Sequence, residues 1–153
     1  MADLESVSAL MSHAVPFNRV LGVRVTLVEQ EQAEVVLPAS PERLNHVGTV
    51  HAAAQFGLGE AASGTMVVSA FADVQAEGYV PLAAGAHITY RRAAKGDLRA
   101  VATLAREEQE RIRREVRDAG KARFVVPVRL LDSAGTVTTE MEVEWALVRR
   151  RDE

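Results

Sequence analysis

The sequence predicts an α+β fold with an antiparallel sheet of about six strands and one long buried helix. Three observations carry this expectation. The stretch from Leu44 to Ala72 holds a single formally charged side chain, Glu60, amid many small residues. Segments on both sides of it alternate apolar with polar residues, the period of half-buried strands. These strands come in runs rather than in regular βαβ alternation, which argues against a parallel sheet. A chain of 153 residues with 48% hydrophobic and 25% charged residues has room for one domain, taken as 1–153.

The elements follow in order. Leu4, Val7, Leu10 and Met11 have the spacing of a short amphipathic helix running to His13, so segment 1–15 reads as a helical lid or brace, with Pro16 just beyond it. After Gly22, Val23, Val25 and Leu27 alternate with Arg24, Thr26 and Val28. Ala33, Val35 and Leu37 repeat the pattern before Pro38, giving two antiparallel strands joined near Glu29 to Gln32.

The central stretch is long enough for a membrane span, but a carboxylate at its centre would cost roughly 2.5–3.5 kcal/mol on insertion scales. Burial within protein is the better reading, because Ala52, Ala53, Gly57, Gly59, Ala61 and Gly64 allow other backbone to approach closely. So many glycines would weaken a free-standing helix, and the sheet must supply the stability.

Downstream, Leu82 to Arg92 and Leu98 to Leu104 read as strands separated by the turn Lys95-Gly96-Asp97. Segment 106–120 reads as a short surface helix, with Glu107–Arg111 and Glu110–Arg114 at i,i+4, an apolar stripe of Ile112, Val116 and Ala119, and Gly120 as terminator. Arg123 to Leu131 and Thr136 to Val148 form a hairpin around Asp132-Ser133-Ala134-Gly135. In the last strand Val137, Thr139, Met141, Val143, Trp145 and Leu147 face the core, and Thr138, Glu140, Glu142 and Glu144 face water.

Composition excludes several functions. A net charge of -3 gives none of the basic bias that neutralises phosphates, so no nucleic-acid partner is expected. Without cysteine there is no disulfide framework, thiolate metal site or cysteine nucleophile, and four scattered histidines make no zinc site; no metal is expected. Met1 to Leu10 contains Asp3 and Glu5 and lacks the basic segment and apolar run of a secretory signal, so the expected location is the cytoplasm, away from any membrane.

Asn45-His46-Val47-Gly48-Thr49-Val50-His51-Ala52-Ala53, with Glu60 nine residues after His51, resembles the signature of hot-dog-fold acyl-CoA thioesterases of the phenylacetyl-CoA and 4-hydroxybenzoyl-CoA thioesterase type. There the pattern is Asn-x-x-Gly-x-x-His-Gly-Gly followed by Asp or Glu. Phe17 to Val25 resembles the family's approach to its first strand, His87-Ile88-Thr89-Tyr90 the strand after the helix, and Lys95-Gly96-Asp97 the next turn. The resemblance implies a hot-dog fold, in which the sheet wraps the central helix, and hydrolysis of acyl-CoA thioesters. It implies no cofactor beyond the CoA of the substrate. Ala52 and Ala53 stand where the family has glycines, and Ala83 where some relatives have a serine. The charged segment Glu107 to Ala119 resembles an insertion in an uncharacterised branch of thioesterase-like proteins.

Geometry adds a constraint of its own. Nine residues turn a helix by ~900°, leaving His51 and Glu60 on opposite faces and about 13 Å apart along the axis. Two copies related by a dyad can bring Glu60 of one to the helix start of the other. The family implies the same arrangement, a homodimer with composite sites that often assembles into a homotetramer. By resemblance the Ala52 N–H is the oxyanion donor, Glu60 the general base or nucleophile, Asn45 a group orienting water or carbonyl, His51 a loop or thioester contact, and Gly48 part of the catalytic loop. Gln55, Arg91, Arg92 and Lys95 are candidates for binding substrate, the cations at the CoA phosphates, with ordinary solvated charge as their alternative. A non-catalytic acyl-CoA or acyl-carrier binding protein on the same fold is the second functional reading. A hot-dog dehydratase would need a different spacing of histidine and acid.

Overall fold

The computed structural model describes residues 3–151; Met1 and Ala2 of the expected N-terminal segment, and Asp152 and Glu153, lie outside the described residues. Helix α1 (Leu4–Ala9) is capped by Asp3, whose carboxylate accepts from the Ser6 N–H at 2.9 Å, and it runs on into a π-helical turn, Leu10–Ala14. Val7 and Met11 are its buried side chains.

Phe17 to Val25, expected as the approach to the first strand, runs into that strand by way of a helix, α2 (Pro16–Leu21). Pro16 at its first position has the fixed φ a helix needs, and Gly22 ends it in the left-handed region at φ 82°. Strands β1 (Arg24–Val28) and β2 (Gln32–Leu37) then form the expected antiparallel pair.

Helix α3 (Ala52–Ala70) is the central helix, begins at its cap His51, and gives way after Phe71 to the short α4 (Ala72–Ala76). Leu44 to Val50, expected as part of the helix start, is instead a loop closed by a Leu44–Val50 bridge. Strand β3 (Tyr79–Tyr90) starts before and ends before the expected bounds, which leaves Arg91 and Arg92 in the following loop. β4 (Leu98–Thr103), helix α5 (Arg106–Ala119), β5 (Lys121–Leu131) and β6 (Val137–Arg149) complete the chain.

The six strands form one sheet in the order β1-β2-β4-β5-β6-β3, with every neighbouring pair antiparallel. Its concave face lies against α3, the arrangement of a hot-dog fold. Alternation explains which face that is: in β5, Phe124, Val126, Val128 and Leu130 are buried while Arg123, Val125, Pro127 and Arg129 are exposed. Thr138, expected on the wet face, is fully buried next to Thr139.

Small residues let the helix sit low on the sheet. A methyl group on Gly59 would lie 2.5 Å from the Met141 sulfur, and one on Gly64 would lie 3.4 Å from the Trp145 ring. Two buried polar ties fix the helix on β6. The Trp145 Nε1 donates to Ser63 Oγ at 3.1 Å, which in turn donates to the Glu60 carbonyl at 2.8 Å. The Thr139 hydroxyl donates to Gln55 Oε1. Among the described residues no helix is long and apolar enough to cross a membrane.

Candidate active site

α3 has one open stripe. Ala53 and Phe56 are exposed and Glu60 is partly buried; they recur at i, i+3 and i+7, so they share one face of the helix. Nearly all other positions of the helix are buried. Glu60 has no ion-pair or side-chain hydrogen-bond partner among the described residues. Burial pushes its carboxyl above the ordinary value of 4.5 because no neighbouring charge offsets the loss of water.

The helix start is organised around His51. Its Nδ1 accepts from the Ala53 N–H at 3.0 Å, so the neutral ring carries its proton on Nε2. The His51 N–H donates to the Arg43 carbonyl at 2.8 Å, and the Val50 N–H donates to the Ala94 carbonyl at 2.8 Å. Of the first-turn amides, Ala52 N–H has no acceptor among the described residues, as the geometry of a helix N-terminus leads one to expect. It is a free donor at the positive end of the helix dipole.

The preceding loop is held by Asn45. Its Oδ1 accepts from the Val47 N–H at 3.1 Å and the Thr49 N–H at 3.0 Å, and its Nδ2 donates to Thr49 Oγ1 at 2.8 Å. One Nδ2 hydrogen is left for anything else. Gly48 closes the same turn at φ 78°, a left-handed conformation that side chains rarely adopt.

Two cavities flank the helix start. One, of about 390 Å3, is polar and is lined by Asn45, Thr49, Ala52, Gln55, Tyr90, Arg91 and Arg92 among others. It gathers five of the residues singled out from sequence. Arg91 pairs with Glu140, whereas Arg92 has no carboxylate partner among the described residues. Gln55 is buried and its Nε2 donates to the Val50 carbonyl at 2.9 Å, so its amide is engaged at both ends in holding the helix start. Lys95 and Gly48 do not line this cavity.

The other cavity, of about 540 Å3, is largely apolar. Phe17, Val20 and Leu21 of α2 form one wall, Ala53 and Ala54 of α3 another, with His51 and Arg43 at the rim. Arg43 pins the end of α2, its Nε donating to the Leu21 carbonyl and its Nη1 to the Pro38 carbonyl, both at 2.7 Å. Glu60 lines neither cavity, and eight residues of helix put it about 12 Å along the axis from Ala52. The site residues of one chain thus fall into two groups that do not meet.

Sequence reasoning missed Tyr90, Arg43 and the apolar cavity. Reading residues 17–21 as an approach to a strand hid the cavity wall, although Pro16 and Gly22 bracket the helix. Tyr90 reaches across 38 residues to donate its hydroxyl to the Ala52 carbonyl at 3.1 Å, a contact with no local signature. No group of three or more His, Asp or Glu side chains close enough to hold a metal occurs among the described residues.

Sheet order and wrapped helix define a protein of the hot-dog fold. Residues 4–147 match the family described as a domain of unknown function, DUF4442, and the chain belongs to that family. No protein of curated function matches the sequence. A Pseudomonas aeruginosa structure described as a probable thioesterase of unknown function is similar at 26% identity and a TM-score of 0.86 over 97% of each chain. A thioesterase from Haemophilus influenzae is similar at 14% identity and a TM-score of 0.77, over 100% of this chain and 95% of that one. A Pseudomonas aeruginosa thioesterase, solved as a mutant, is 19% identical with a TM-score of 0.77, over 98% of this chain and 96% of that one.

Proposed function

We propose that this chain is a cytoplasmic acyl-CoA thioesterase that works as a homodimer or homotetramer, with Glu60 of one subunit and the α3 start of another forming each site. The observation that carries the reading is the division of the chemistry: an unpaired, half-buried carboxylate on the open stripe of α3, and an open amide about 12 Å away on the same helix. A second subunit is what unites them. Support comes from β3, a 12-residue edge strand whose residues 82–87 are all exposed, which offers unpaired backbone to a twin.

In the proposed site the thioester carbonyl oxygen accepts from Ala52 N–H, and the helix dipole stabilises the negative charge that develops there. Glu60 takes a proton from water as the water oxygen bonds to the carbonyl carbon, and the C–S bond then breaks with the proton passing to the departing thiolate. Direct attack by the carboxylate, giving an anhydride that water cleaves, uses the same groups. The polar cavity, with Arg91 and Arg92, suits the CoA arm and its phosphates, and the apolar cavity under α2 suits the acyl chain.

The second reading, an acyl-CoA or acyl-carrier binding protein without turnover, draws on Asn45. Its side chain is largely committed to its own loop rather than to a substrate. Thiol release from short, medium, long-chain and aryl-CoA thioesters, measured for the native protein and for Glu60→Gln, separates the two. Hydrolysis that falls at least 100-fold in the variant is expected, on the scale of removing a principal catalytic group (about 10²–10⁴). A native protein that binds the thioesters without releasing thiol would establish the binding reading.

A further inference from the structure

One peptide unit at the start of α3 is held at both ends by side chains. The Ala53 N–H donates to His51 Nδ1 at 3.0 Å, and on the other end of the same peptide the Ala52 carbonyl accepts the Tyr90 hydroxyl at 3.1 Å. His51 is the helix cap, and Tyr90 is the last residue of β3. The two residues come from different sides of the helix start, because Tyr90 lines the polar cavity and His51 the apolar one. Between them the Ala52–Ala53 peptide plane is clamped, while the Ala52 N–H of the preceding peptide stays free.

We infer that Tyr90 is a positioning residue for thioester hydrolysis, its hydroxyl fixing the Ala52–Ala53 peptide so that the Ala52 amide is held where the oxyanion forms. The inference rests on the thioesterase reading and adds to it a residue that the helix motif does not contain. A free helix terminus frays, since its first amides have no partner of their own. A donor whose direction wanders loses much of its worth, because oxyanion stabilisation depends on dipoles already aimed at the developing charge. The His51 carbonyl, on the peptide that carries the Ala52 N–H, accepts from the Gln55 N–H at 3.1 Å, which anchors that peptide from the helix side. The Tyr90 bond adds an anchor from the sheet, at a carbonyl that the first turn of α3 also engages.

Other features reinforce the geometry. Arg91 and Arg92 both donate their backbone N–H to the Thr138 carbonyl, at 2.9 and 3.0 Å, so the chain just after Tyr90 is tied to β6. The ring of Tyr90 is partly exposed, at 45%, and its hydroxyl is held above its ordinary value of 10 by loss of water. It therefore stays a donor throughout the range in which a carboxylate base works.

The test is Tyr90→Phe, which deletes the hydroxyl and keeps the ring, assayed on the best substrate of the thioester panel beside the native protein. The expected result is a fall in kcat of roughly tenfold with KM within about twofold, smaller than the 10²–10³ lost when an oxyanion donor itself is removed. Amide exchange followed by NMR supplies a second reading, with Ala53 exchanging faster in the variant than in the native protein. A kcat equal to the native value, or a loss confined to KM, overturns the inference while leaving the thioesterase reading intact. Absence of hydrolysis by the native protein overturns both.

Discussion

Burial holds the Glu60 carboxyl above its ordinary value. That gives two consequences of one sign. As a base it works only when ionised, so the acidic limb of kcat/KM is expected above the ordinary carboxylate value of 4.5, and a pH–rate profile with a limb at or below that value would contradict the role. For stability, the folded chain holds the proton more tightly than the unfolded one. The contribution of Glu60 is therefore fully present below 4.5 and is lost as pH rises through the raised folded value. Glu60→Gln, uncharged at every pH, is expected to have a higher Tm than the native protein at neutral pH, with the advantage shrinking toward about pH 4. Thermal melts across that range check it. At this scale the sequence was generous with Glu60, because a lone charge in a neutral stretch is visible without a structure. It was silent about Tyr90, whose partner lies in a distant segment.

Helix α5 shows how an element that touches none of the proposed chemistry still supports it. Its inner face buries Ile112, Val116 and Gln109, and the Gln109 Nε2 donates to the Gln30 carbonyl at 2.7 Å and the Leu104 carbonyl at 2.8 Å. Arg113 reaches the Ala70 carbonyl at the end of α3, pairs with Asp73 at 2.9 Å, and stacks 5.2 Å from the centre of the Phe71 ring. Ile112→Ala is expected to destabilise the fold by about 2–5 kcal/mol, read as a lower Tm and denaturation midpoint with α3 still folded in the native state. A loss under about 1 kcal/mol would mean that α5 is only loosely docked. The apolar stripe of this helix was legible, but its ion pairs were not: Arg111 bridges Glu108 and Glu115, and Arg106 pairs with Glu110, in place of the expected Glu107–Arg111 and Glu110–Arg114 pairs. Ala119, placed on the stripe, is exposed. Exposed side chains have several partners at helical spacing, so spacing alone does not select one. The strands were easier, because a sheet with one wet face writes its orientation into alternate residues; α2 was harder, since six residues carry too few turns to show a period.

At the scale of the molecule, β3 is a long edge strand with no neighbour on its outer side among the described residues. β1 is the other edge of the sheet, but it is a 5-residue strand, whereas β3 is 12 residues long and presents Leu82 to His87 without cover. Long apolar edges invite pairing with another chain, and proteins that remain monomeric blunt them with charge or proline. Here Ala83, Ala84, Gly85 and Ala86 do neither. Ala86 pairs in register with Val143, a core residue of β6, so its side chain lies on the face of the sheet that also receives α3. In the proposed pairing of two subunits through this edge a carboxylate there would lose its water, a cost of several kcal/mol against association. It would remain solvated in a monomer. If the proposed homodimer or homotetramer forms through this edge, Ala86→Glu is expected to shift it toward a single chain in light scattering, to keep the secondary structure seen by circular dichroism, and to lose thioester hydrolysis in step with the mass. A variant that stays folded and fully active as a monomer would mean that Glu60 needs no second subunit, and the division of the site between two copies would be wrong.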